Sequence, residues 1–208
     1  MSGWTQKDED TFLDVYDKNN QDPTKALELV DKNGVLLIEK ERMFKKRKVM
    51  KLKIDEFKSK GFNNIVLAGH SAGGWESLNL KSDFPSEIDG VIAFNPARSG
   101  RYSKELKKGK VWRGWHNWRN YKILLIKLDK LDNVLVYSHN LDDHETPKTL
   151  SFLSNLDVVQ FVDLSNSGCK GKLLLGGYHG ITLTKCFATY DRKNKGIVRY
   201  LEQKLLGG

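Results

Sequence analysis

Ile65-Val66-Leu67-Ala68-Gly69-His70-Ser71-Ala72-Gly73-Gly74-Trp75-Glu76 is the stretch from which the rest of the chain is read. Four apolar residues, Ile65 to Ala68, lead straight into Gly69-His70-Ser71-Ala72-Gly73, and a helix-compatible segment follows. This is a G-x-S-x-G turn in a strand–turn–helix setting, the nucleophile elbow. The serine backbone in such a turn is strained, and a Cβ on its neighbours collides with strand or helix. Glycine is therefore expected to be needed at both Gly69 and Gly73. The turn lifts the Ser71 hydroxyl above the strand end. The helix start behind it offers N–H groups without intrahelical partners to a developing negative charge.

On the N-terminal side, Val35-Leu36-Leu37-Ile38 is a short apolar run of strand length. Two short helical pieces precede it, the second opened by Asp22-Pro23 and closed by Asn33-Gly34. Lys45 to Lys60 reads as a charged helix with Val49, Met50, Ile54 and Phe57 on one side, ended by Gly61. Beyond the elbow, a helix over 73–81 stops at Asp83-Phe84-Pro85, and strands are expected at Gly90–Phe94, Val134–Tyr137 and Val158–Leu164. Lys172–Leu175 extends the last of these. Helices are expected at Asn120–Lys130, Pro147–Asn155 and Ala188–Leu205, with Gly196 a possible interruption. Apolar strands alternating with helices mean a parallel sheet covered on both faces, an α/β/α sandwich. The 208 residues suit one domain, with no internal repeat or linker.

A serine hydroxyl needs a base within hydrogen-bond reach. Ligand crevices in such sheets lie at the carboxyl ends of the strands. Two loops there carry suitable side chains. Ser138-His139-Asn140-Leu141-Asp142-Asp143-His144 follows one strand, and Gly176-Gly177-Tyr178-His179-Gly180 precedes the last helix. The order is Ser71, then an acid at Asp142 or Asp143, then His179. His70 is read as a neighbour of the serine lining the pocket, not as its base. His139, Asp142, Asp143 and His144 share one irregular loop without a second ligand cluster, so no metal and no other cofactor are expected.

With these residues the chain resembles the α/β-hydrolase superfamily, its dienelactone-hydrolase-like branch in particular, with serine where those enzymes carry cysteine. Nearly the whole chain follows the family's element order, but only the elbow is a specific motif. The resemblance implies a serine esterase acting on a small carboxylic ester or lactone through an acyl-enzyme. Val134 to Asp142 is similar to the family's acid loop, with His139 in place of its glycine. Counting back from Pro147 favours Asp143 instead, so Asp142 is the expected acid and Asp143 the alternative. The resemblance places the oxyanion donors at the N–H of Ala72 and at Gly3 and Trp4. It also leaves the sheet without its N-terminal strands. Val35–Ile38 would be the family's fourth strand, and no third strand is legible.

Lys and Arg exceed Asp and Glu by nine. The excess is concentrated at 39–60, with ten basic and four acidic side chains, and at 97–130, with eleven and two. The second region includes Trp112, Trp115 and Trp118 at intervals of three. This pattern is read as a cap over the substrate pocket at 97–122, walled by Trp112 and Trp115, rather than as a nucleic-acid platform. The rival reading of the whole chain is a truncated, non-catalytic module binding an anionic partner through its basic surface. No apolar run approaches a membrane span, and the first residues do not have the order of a signal peptide. Cys169 and Cys186 are expected as free thiols, which points to a cytoplasmic protein.

Overall fold

The computed structural model describes residues 37–99, 119, 122–172, 174 and 176–203, the first ten by backbone only. Helix α1 (Leu37–Ser59) leads into β1 (Val66–His70), followed by α2 (Ala72–Asp83), β2 (Gly90–Phe94) and β3 (Val134–Ser138). Then come the short α3 (Ser151–Ser154), β4 (Val159–Asp163), a 3-10 segment at Tyr178–Leu183, α4 (Lys185–Asn194) and α5 (Gly196–Leu201).

The four strands form an all-parallel sheet in the order β1-β2-β3-β4. Every strand therefore returns to the same end by a crossover, and the carboxyl ends line up along one edge of the fold. Alternate residues face opposite sides. Val91, Ala93, Val134 and Val136 pack with Ile54 of α1 and with Trp75 and Leu78 of α2. Ile92, Leu135 and Tyr137 pack with Phe187 of α4 and Tyr200 of α5. Both faces of β2 and β3 are thus buried, which explains why their sequences are continuous apolar runs. This is an α/β fold. Val66, Leu67 and Ala68 are less deeply buried, because β1 is an edge of the described sheet.

Several expectations are corrected. Leu37 and Ile38 are the first residues of α1, not the end of a strand, while Val35 and Leu36 lie outside the described residues. A four-residue apolar run has no periodicity that separates strand from helix. Glu39 to Lys48 are mostly strong helix formers without Gly or Pro, so the helix takes in Leu37 and Ile38. No strand precedes β1 among the described residues.

Only part of the anticipated apolar face of α1 is used, with Ile54 buried and Val49 exposed. Ion pairs complete its docking. Arg47 reaches Glu76 at 2.9 Å, and Lys51 reaches Glu87 at 2.8 Å. The helix ends as Gly61 predicts. Gly61 has φ 86°, its N–H donates to Lys58 O at 2.9 Å, and Phe62 N–H donates to Phe57 O at 3.2 Å. The Phe57 and Phe62 rings meet across this turn, completing a Schellman motif.

Among the described residues, Asn120–Lys130 and Pro147–Asn155 hold only short helical pieces, and in Lys172–Leu175 the pairing is one bridge between Lys172 and Gly177. The last helix does break at Gly196, with Lys195 left-handed at φ 52°. No described helix is long and apolar enough to cross a membrane.

Candidate active site

The site is built on the turn between β1 and α2. Ser71 has φ 56° and ψ −123°, a conformation costly for any residue with a Cβ. Three backbone hydrogen bonds hold it. Ser71 N–H donates to Phe94 O at the end of β2 (2.9 Å), while Ser71 O accepts from Trp75 N–H (3.1 Å) and Ala97 N–H (3.2 Å). The neighbouring strand therefore clamps the turn.

Close approach explains the glycines, but not the expected pair. A Cβ on Gly69 would lie 2.3 Å from Gly73 C, and one on Gly74 would lie 2.8 Å from Gly69 O. A Cβ on Gly73 would meet nothing within 4 Å. Gly69 and Gly74 are the positions where helix and strand backbones touch, so the expectation for Gly73 is corrected.

Around Ser71 the structure assembles a continuous polar chain. His179 Nε2 lies 2.8 Å from Ser71 Oγ, and His179 Nδ1 lies 3.0 Å from each Asp142 oxygen. Asp143 instead places Oδ1 2.8 Å from Nδ1 of His144. The two carboxylates are adjacent in sequence, yet only Asp142 points at His179.

Asp142 is fully buried, with further donors on it: Asn95 Nδ2 at 3.0 Å and His144 N–H at 2.8 Å. Burial alone would raise its pKa. The hydrogen bonds from His144 and His179, with the positive charge His179 can carry, outweigh burial and hold the carboxyl well below the usual carboxylate range. An ionised Asp142 accepts, so Nδ1 of His179 carries the hydrogen and Nε2 presents a lone pair to the serine hydroxyl.

The His179 ring has two histidine neighbours. His144 stacks on it at 3.8 Å between centroids, and His70 lies 4.9 Å away, tilted by 52°. His70 Nε2 is 2.7 Å from the backbone O of His179, which can only accept, so the His70 ring donates. Burial pushes its pKa down, which fits a neutral ring with the hydrogen on Nε2. His70, expected in the pocket, is thus a brace from β1 to the segment carrying His179.

Asn95 is the residue that sequence reasoning passed over, taking Asn95-Pro96 only as a strand end. It is completely buried and left-handed at φ 45°. Its Nδ2 donates to Asp142, and its Oδ1 accepts from Thr182 Oγ1 at 3.2 Å. One amide thereby ties the end of β2 to the acid loop and to the histidine segment. A hydrogen bond to a charged group contributes about 1.5–3 kcal/mol. Asn95→Ala should destabilise the protein by about that amount in denaturant unfolding at neutral pH, and an unchanged midpoint would mean that the amide does not hold the carboxylate.

Ala72 is the first residue of α2, where backbone N–H groups lack intrahelical acceptors, and it directly follows Ser71. Gly3, Trp4, Trp112 and Trp115 lie outside the described residues, as does most of 97–122. Asp142, His144 and His179 offer ligand atoms within 4.8 Å of one another. The Asp142 oxygens and Nδ1 of His179 are already engaged with each other.

The expectation of free thiols is also corrected. Cys169 and Cys186 form a disulfide, with Cα atoms 5.6 Å apart. They lie seventeen positions apart in sequence, and only the fold of the intervening segment brings them together. The step from free thiols to a cytoplasmic protein loses its basis. No family model matches the chain, and no curated protein matches it.

Proposed function

We propose that this chain is a serine hydrolase with an α/β-hydrolase type of fold, cleaving a small carboxylic ester or lactone through an acyl-enzyme. The observation that carries the reading is the Ser71–His179–Asp142 chain, at 2.8 and 3.0 Å, on a backbone turn strained at the serine. Strain of this kind marks functional positions, and the three groups have complementary roles.

His179 Nε2 takes the Ser71 proton as Oγ attacks the carbonyl carbon. Buried, ionised Asp142 holds the ring in the required tautomer and stabilises the imidazolium that forms. Negative charge on the carbonyl oxygen meets the Ala72 N–H at the start of α2. His179 then protonates the leaving alcohol, and water repeats the sequence to release the acid. Asn95, His144 and His70 position the acid and the imidazole.

The rival reading, a non-catalytic module for an anionic partner, draws on the excess of nine basic residues. On α1, however, Arg47 and Lys51 meet the carboxylates of Glu76 and Glu87, which lie outside the basic stretch. That region is less cationic than its composition implies.

A fluorophosphonate probe decides between the readings. It should label Ser71 in the wild-type protein and leave Ser71→Ala unlabelled. Folded wild-type protein that takes no label would sink the hydrolase.

A further inference from the structure

The segment carrying His179 is closed by the Cys169–Cys186 disulfide, whose two cysteines differ in exposure. Cys169 is buried, whereas Cys186 is exposed in the first turn of α4. Beside Cys186 lies an open groove of about 560 Å³. Lys185, Thr189 and Lys193 line it at helical spacing along α4, with Ser167 and Tyr190, and no carboxylate is among its described lining residues. Between Cys169 and Gly177, the described residues pair through one bridge, Lys172–Gly177, and Leu174 is 99% exposed. The histidine end is better anchored, by His70 on His179 O, by Thr182 on Asn95 and by buried Ile181. The disulfide thus joins the loop that starts at Cys169 to the segment that presents His179.

We propose that Cys186 is a thiol-exchange site for a small anionic thiol seated in the Lys185–Lys193 groove, and that exchange there loosens the His179 segment. The attacking thiolate bonds to Cys186 Sγ as the Cys186–Cys169 bond breaks, and Cys169 leaves as a thiolate that takes up a proton. A second thiol displaces Cys186 from the mixed disulfide. Two thiols are oxidised to their disulfide, and the protein gains two electrons and two protons. Access directs attack to Cys186. The two lysines raise the local concentration of a thiol bearing carboxylates. Opening the ring removes a cross-link over eighteen residues, from 169 to 186, and widens the range of backbone states open to the loop.

The effect on hydrolysis rests on the proposed function, whereas the exchange and the loosening do not. The experiment uses the oxidised full chain with glutathione as the anionic thiol and cysteamine as a cationic one. Glutathione should form its mixed disulfide at Cys186, about fivefold or more faster than cysteamine at low salt. Lys185→Glu with Lys193→Glu should abolish that preference. Full reduction should speed amide exchange across Tyr178–Leu183 at least tenfold and slow fluorophosphonate labelling about tenfold, both restored on reoxidation. Cys169→Ser with Cys186→Ser should behave as the reduced protein and ignore thiols.

Adducts at Cys169, or equal rates for the two thiols, would overturn the groove. Unchanged amide exchange with both thiols free would overturn the clamp. If the oxidised protein takes no probe at all, the hydrolase reading fails, and amide exchange still tests the clamp.

Discussion

Asp142→Asn should leave the fold standing and lower kcat for a small ester by about 10⁴-fold, equivalent to about 5.5 kcal/mol of barrier. The neutral amide can turn its NH₂ toward His179 Nδ1 and so draw the other tautomer, which puts the hydrogen on Nε2. No lone pair would then face Ser71 Oγ, now 2.8 Å away. Asp143→Asn is the control, with an expected loss of less than about threefold, because Asp143 reaches His144 and not His179. Steady-state kinetics on the two variants, with circular dichroism for the fold, check the pair. A larger loss in Asp143→Asn would reverse the assignment of the acid.

The same carboxylate should show in stability. Its pKa is lower in the folded than in the unfolded state. Its contribution is therefore present above the ordinary Asp value and is lost as pH falls below about 4. Denaturant unfolding should show a steeper decline below that pH in the wild type than in Asp142→Asn. Parallel curves would mean that Asp142 is not held in its ionised form.

The second large effect is structural. Gly69→Ala would force a methyl to within 2.3–2.6 Å of the Gly73 carbonyl and Gly74 nitrogen, where only backbone can give way. The expected cost is about 3–5 kcal/mol, or about 10 °C in unfolding midpoint for a chain of this size. Gly73→Ala, two residues past the serine, should be neutral or stabilising by up to about 1 kcal/mol. Its added methyl meets no atom within 4 Å, and alanine suits a helix better than glycine. Thermal melts of the two variants separate a motif glycine required by contact from one that is merely part of the pattern. Equal losses would mean that the turn relaxes differently from this geometry.

Much of the fold is visible before any coordinates. Gly90–Phe94 is a strand with the bounds expected, and the strands at Val134 and Val159 differ by a single residue at one end or at each end. Central parallel strands bury both faces, so their positions are written as uninterrupted apolar runs between turn residues. Gly61 signals its helix end because only a left-handed residue fits there. Val35–Ile38 misleads for a related reason. A short apolar run is equally consistent with a buried strand and with the first turn of a helix, and the charged residues after it settle the matter for Leu37 and Ile38.

The local chemistry of the elbow is likewise legible, since Ser71 between strand and helix is a contiguous pattern. The rest of the site is a matter of distances through space. Neighbouring Asp142 and Asp143 are indistinguishable as letters, and the loop path after β3 turns one toward His179 and the other toward His144. Asn95 looks like an ordinary strand-ending residue until it is found under the acid, bound to Thr182 from a segment 87 residues away. Gly74 outweighs Gly73 because it faces Gly69 across the turn. Cys169 and Cys186 carry no sign of pairing until the segment between them is folded.

The sequence alone therefore determined the alternation of strands and helices and the serine at a strand–helix turn, because burial and backbone geometry act over a few neighbouring residues. Tertiary structure alone decided which carboxylate, which amide, which glycine and which thiol pairing complete the site. Those choices depend on contacts within about 3 Å between segments far apart in the chain, and no local pattern encodes them.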